Sequence, residues 1–161
     1  MLDIIDIPTT PGDFLGVPMH SPIALFYEKI QDPFNLHLSG KSDSRIFRTG
    51  NIQWNYSNDF LGSVYIDPKY KGESIIKFGS AEIDGNTSHD DLKQIIADGQ
   101  MEYIEHYFSA DQLNICVNEW AMFYFNIDEA GILLSKISLP FRMGEHRALL
   151  FNDPPKKGKG R

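Results

Sequence analysis

The chain of 161 residues contains a single cysteine, Cys116, so it forms no internal disulfide and no cysteine-rich zinc site. Long apolar runs are missing too. No stretch approaches the roughly 20 residues needed by a membrane-spanning helix, and no membrane association is expected. The opening residues Met1-Leu2-Asp3-Ile4-Ile5-Asp6 carry two acids and no basic segment, unlike a secretory leader. With so little cysteine, this points to a reducing, cytoplasmic setting. Motifs that fix a reaction are absent as well. There is no G-x-S-x-G elbow, no H-E-x-x-H pair, no Walker A loop and no G-x-G-x-x-G turn. No glutamate is followed two residues later by lysine. These absences favour a protein that is not an enzyme and needs no cofactor.

Positive charge is scarce and unevenly placed. Lys plus Arg number 15 against 22 for Asp plus Glu, a net −7. Residues 1–81 carry −2, residues 82–129 carry eleven acids and one base for −10, and residues 130–161 carry +5. Four of the last six residues are basic, and they follow Pro154-Pro155 with Gly158 and Gly160 interleaved. That composition predicts a single domain over 1–153 and a flexible basic tail over 154–161.

The apolar pattern predicts an α+β fold: an antiparallel β-sheet, made of a meander plus a C-terminal hairpin, packed against two helices. The first twenty residues, rich in proline and glycine, suit an irregular arm or a short edge strand. Ser21-Pro22 is a good helix start, with serine capping and proline at the first helical position, so a short helix is expected at about 22–31. From Leu36 to Ile83 the period is closer to two. Ile52, Trp54 and Tyr56 alternate with polar residues, Ser57-Asn58-Asp59 turns the chain, and further strands fall near 63–66 and 74–78. Thr87 or Ser88 caps the next helix. Leu92, Ile95, Ile96, Gly99, Tyr103 and Tyr107 follow a 3.6-residue period, so one long helix is expected at about 89–108, with two helices breaking at Gly99 as the alternative. Leu113, Ile115 and Val117 alternate again, Trp120 to Ile127 reads as a central strand, and Asp128 to Gly131 as a hairpin turn. Ile132–Leu139 returns, and 148–151 suits a last short strand.

Several residues invite a chemical reading. Glu102 and His106, four apart on the expected helix, would share a face and offer two ligands to a divalent metal; a solvent-facing Glu–His pair is the plainer account. Residues 84–90 resemble a calcium loop but lack its sixth-position glycine and its twelfth-position glutamate, so a capping turn explains them better. Cys116 alternates with Ile115 and Val117 and suits a small buried thiol. Gly144-Glu145-His146-Arg147 suits a polar rim. Lys41, Arg45 and Arg48 form a basic cluster near Trp54 and Tyr56, weak ground for nucleic-acid binding in so acidic a chain.

The acidic middle has the best claim. Asp91, Asp98, Glu102 and Glu105 would line one stripe of the long helix beside its apolar stripe, with Asp90 and Asp111 adjoining. Like charges at this density repel one another, and a basic partner would relieve that repulsion. The expected function is therefore a protein-binding module that occludes the active site or nucleic-acid surface of a basic protein, as an immunity protein or antitoxin does to a toxin or nuclease-like enzyme. Two alternatives are a small metal-dependent enzyme built on Glu102 and His106, and an oligomer subunit joined through exposed aromatics among Phe123, Tyr124 and Phe125.

Overall fold

The computed structural model describes residues 4–30, the backbone of 34–38, and residues 43–69 and 74–140. The expected strand at 148–151, the rim at 144–147, Lys41 and the 154–161 tail lie outside the described residues.

In chain order the elements are β1 (Ile4–Ile7), α1 (Ile23–Lys29), β2 (Phe34–Leu38), β3 (Ser44–Thr49), β4 (Ile52–Ser57), β5 (Phe60–Ile66), β6 (Ile75–Phe78), β7 (Ala81–Ile83), α2 (His89–Asp98), β8 (Tyr103–Ser109), β9 (Gln112–Val117), β10 (Ala121–Asp128) and β11 (Gly131–Leu139). Eight strands make one antiparallel sheet in the order β2-β3-β4-β5-β11-β10-β9-β8. It consists of two meanders, β2–β5 and β8–β11, joined where β5 pairs with β11. The remaining strands form a small sheet, β1-β6-β7, in which β1 runs parallel to β6. The expected C-terminal hairpin is β10–β11, and β4 and β5 pair as expected, but the strand expected near 74–78 to continue their meander is β6, which lies in the small sheet instead.

Local sequence explains the turns. Asn58 and Asp59 link β4 to β5 with φ of 52° and 63°, and Asn118 and Glu119 link β9 to β10 with φ of 52° and 53°. Two consecutive left-handed residues match the right-handed twist of the flanking strands, and short polar side chains tolerate that region best.

Alternation then sorts the large sheet into two faces. On one face, Phe47, Trp54, Val64, Ile66, Ile137, Leu134, Phe123, Phe125 and Leu113 are buried in one continuous core. Both helices cover this face. Phe26 of α1 lies 4.9 Å from the Phe47 ring and 5.2 Å from Trp54. Leu92 and Ile96 of α2 join the same core, and Phe78 of the small sheet stacks edge-on to Phe123 at 4.9 Å. The N-terminal arm is tied down by two long-range hydrogen bonds. Trp120 Nε1 donates to the Pro8 carbonyl at 2.9 Å, and Asn118 Nδ2 to the Thr9 carbonyl at 2.6 Å.

The helices depart from expectation in their bounds. Pro22 itself occupies the N-cap of α1, with no side-chain cap, and the helix stops at Lys29 because Ile30 is already extended. The larger correction concerns α2. It begins as expected, with a reciprocal capping box: the Asp91 N–H donates to Ser88 Oγ, and the Ser88 N–H donates to the Asp91 carboxylate. It ends at Asp98 rather than near 108. Gly99 is the C-cap and Gln100 turns left-handed at φ 53°. The Gln100 N–H then donates to the Ala97 carbonyl and the Met101 N–H to the Ile96 carbonyl. That pair of bonds is a Schellman stop, with glutamine where glycine is usual. Residues 103–109 form strand β8 instead. Tyr103, Ile104, Tyr107 and Phe108 favour strand, and pairing with β9 outweighs a 3.6-residue period that only resembled a helix. Tyr103, expected on a packed helix face, is 45% exposed.

Two substitutions check this account by chemical denaturation. Leu92→Ala should cost about 2–5 kcal/mol, since its side chain is fully enclosed. Gln100→Gly should stabilise the fold by about 0.5–1 kcal/mol by relieving the left-handed residue. In a continuous helix the same change would destabilise.

Candidate functional site

The corrected end of α2 redistributes the acidic residues. Asp90, Asp91 and Asp98 lie on α2, Glu102 lies on the connection, Glu105 lies on β8, and Asp111 lies in the β8–β9 turn. They do not form a helical stripe. Asp91 is engaged in the capping box, and Asp98 accepts a hydrogen bond from Gln94 Nε2 at 2.8 Å. Glu105 reaches back across to α2, where its carboxylate lies 2.6 Å from the Lys93 ammonium. That pair fixes α2 against the edge of the sheet. The Lys93 ammonium is held above its usual pKa, first by its hydrogen bond to Glu105.

Sheet topology gathers the acids at two ends. The Glu102 N–H donates to Asn118 Oδ1 at 3.0 Å, and the Asn118 N–H to the Glu102 carbonyl at 2.9 Å, so Glu102 lies against the turn that holds Glu119. At the opposite end of the strands, the Ile127 N–H donates to the Asp111 carbonyl at 2.8 Å, which brings Asp111 beside the turn of Asp128 and Glu129. Of the eleven acids in residues 82–129, ten are exposed. The segment's one base, Lys93, is bound to the eleventh, Glu105.

Between these two acidic ends runs β8. Among the described strands its outer edge is unpaired. It exposes three aromatic side chains: Tyr103 at 45%, Tyr107 at 41% and Phe108 at 52%. Reading 103–108 as a packed helix hid this feature. The signal that could have found it is the run Tyr103-Ile104-Glu105-His106-Tyr107-Phe108 itself, rich in strand formers.

The metal reading loses its geometry. Four residues of extended chain span about 13 Å, so Glu102 and His106 cannot chelate as neighbours one helical turn apart. No group of three His, Cys, Asp or Glu side chains able to hold a metal occurs among the described residues. His106 is buried on β8 opposite Asn114. Cys116 is buried on β9, and desolvation pushes its thiol up to about 12, far from thiolate reactivity at neutral pH. The aromatic oligomer surface is also overturned: Phe123 and Phe125 are fully enclosed in the core, and only Tyr124 between them is partly accessible. Arg45 and Arg48 do not cluster either. They lie three apart on β3 and point to opposite faces, with Arg45 3.8 Å from Asp59.

Burial lowers the pKa of His106 below the ordinary imidazole value. A histidine kept neutral in the fold binds a proton more readily when unfolded. The stability it permits is present above the unfolded pKa of about 6.5 and is lost as pH falls through the lower folded value. Thermal melts between about pH 7 and about pH 5 should therefore fall more steeply for the native chain than for His106→Gln. Equal slopes would assign acid sensitivity to other groups.

No protein-family model, no curated protein and no solved structure matches this chain.

Proposed function

We propose that the protein is a non-enzymatic binding module that docks on a basic protein and blocks it, in the manner of an immunity protein or antitoxin facing a toxin or nuclease-like enzyme. The observation that carries this reading is the β8 edge: a strand whose outer side is unpaired among the described residues, with Tyr103, Tyr107 and Phe108 exposed, bounded at one end by Glu102 and Glu119 and at the other by Asp111, Asp128 and Glu129.

The physics of recognition suits that layout. Exposed tyrosine and phenylalanine supply large contact area at small entropic cost and are frequent anchors of protein interfaces. A free strand edge offers unpaired backbone groups to an incoming strand. Acidic residues around such a centre speed association with a basic partner and disfavour acidic competitors. At physiological ionic strength the Debye length is about 8 Å, so charges bordering the contact dominate. Glu102 belongs to that border, and Asp90 and Asp98 lie on α2, which Lys93 ties to Glu105 of β8. Asp91 and Glu105 contribute less, because one caps α2 and the other holds Lys93.

The test begins with the partner recovered from native extract on the full chain. Tyr107→Ala should then weaken binding by about 2 kcal/mol or more, mainly through faster dissociation, with little change in folding stability. Reversing Glu102 and Asp111 to lysine should instead slow association at about 50 mM salt, and much less at about 300 mM salt. Unchanged kinetics for all three substitutions would remove the β8 edge from the interface and the reading with it.

A further inference from the structure

The face of the large sheet opposite both helices carries a different chemistry. Gln53 and Asn55 of β4, Ser63 and Tyr65 of β5, and Lys136 and Ser138 of β11 lie there in register. At one end of this face is a cleft of about 430 Å³. Arg48, Lys69 and Lys136 line it, against one acid, Asp67. Among the described residues no carboxylate lies within salt-bridge distance of any of the three cations. The Asp67 carboxylate is turned to its own loop, where it accepts the Lys69 N–H at 2.8 Å.

Lys136 is the central group. Its ammonium sits 4.6 Å from the Tyr65 ring centre and 4.4 Å from that of Tyr124. The two ring faces hold the cation in place without neutralising it. Burial disfavours its charged form and lowers its pKa. Arg48, partly buried on β3, adds a planar fork suited to two oxygens of one anion. Asn51, 4% exposed, also lines the cleft, and its amide donates to the Asp67 carbonyl at 2.8 Å.

We propose that this cleft binds a small phosphomonoester, with the phosphoryl oxygens on Arg48 and Lys136. Three cations less one carboxylate leave a net charge of +2, which matches the charge of about −1.5 to −2 on a phosphomonoester at neutral pH. A single carboxylate would leave the cleft half neutralised. The volume exceeds what a bare phosphate fills and falls within the range of about 300–1,000 Å³ typical of small-molecule sites, so the organic part is of mononucleotide size. Concave walls strengthen the field of these cations, so the cleft attracts an anion although the chain as a whole is acidic. The cleft does not involve β8, and this proposal stands apart from the protein-binding reading.

Calorimetric titration of the full chain, at constant ionic strength, tests it. The probes are adenosine 5′-monophosphate and inorganic phosphate, with adenosine as the uncharged control. Saturable binding of the monophosphate or of phosphate is expected, weakened about tenfold or more in Arg48→Gln and in Lys136→Gln, with no binding of adenosine. Lys69→Gln, on an exposed side chain, provides a third variant whose folding is not at risk, and it too should weaken binding. Any of three results would overturn the proposal. The first is no saturation by either anion up to about 10 mM. The second is binding unaltered in all three variants, and the third is adenosine binding as tightly as its monophosphate.

Discussion

The seam between β5 and β11 is the constraint on which the rest of the architecture depends. Ile66 pairs with Ile137 and Val64 with Leu139, and all four side chains are fully buried. The pairing is short, yet it makes one sheet out of two meanders. Everything between them in sequence, from β6 to the end of α2, is thereby folded back over the core face. Burying such side chains is worth roughly 1.5–3 kcal/mol each, so four at one junction outweigh the entropy of closing the long intervening loop. The aromatic group of Phe26, Phe47, Trp54 and Tyr56 fills one side of the seam, and Leu92, Ile96, Phe78 and Phe123 fill the other.

The same seam divides the surface chemistry. The C-terminal meander places Glu102 and Glu119 at one end of its strands and Asp111, Asp128 and Glu129 at the other, with the aromatic edge of β8 between. The cationic cleft straddles the seam on the face away from the helices: Arg48 and Gln53 come from the first meander, Asn126, Ser135 and Lys136 from the second. Among the described residues no salt bridge joins the two regions. The ion pairs that do form are local, such as Arg45 with Asp59, or tie one element to its neighbour, such as Lys93 with Glu105.

Strand periodicity was legible because it depends only on residues two apart. Ile52, Trp54 and Tyr56 alternate in sequence and in burial alike, and Leu113, Ile115 and Val117 alternate in sequence on a strand that is buried on both faces. The start of α2 was legible for a similar reason, since a capping box is a contact between residues three apart. Its end was not. Gln100 adopts the left-handed conformation usually reserved for glycine, and Gly99 one position earlier reads as a tolerated interior residue. Past that point a single period fitted both states. Tyr103 and Tyr107, spaced four apart, suit one helix face and equally one strand face.

By itself, then, the sequence determined the α+β class, most strands and turns, and the concentration of eleven acids against one base in residues 82–129. These rest on composition and on contacts a few residues long. Tertiary structure alone decided where those acids lie, that Tyr103, Tyr107 and Phe108 face solvent while Phe123 and Phe125 do not, and that Arg48 and Lys136 line one cleft. The physical reason is strand pairing. A register sets which face each side chain takes and which distant residues become neighbours, and it is fixed by the summed burial of both partners, a quantity that no local window of either strand contains.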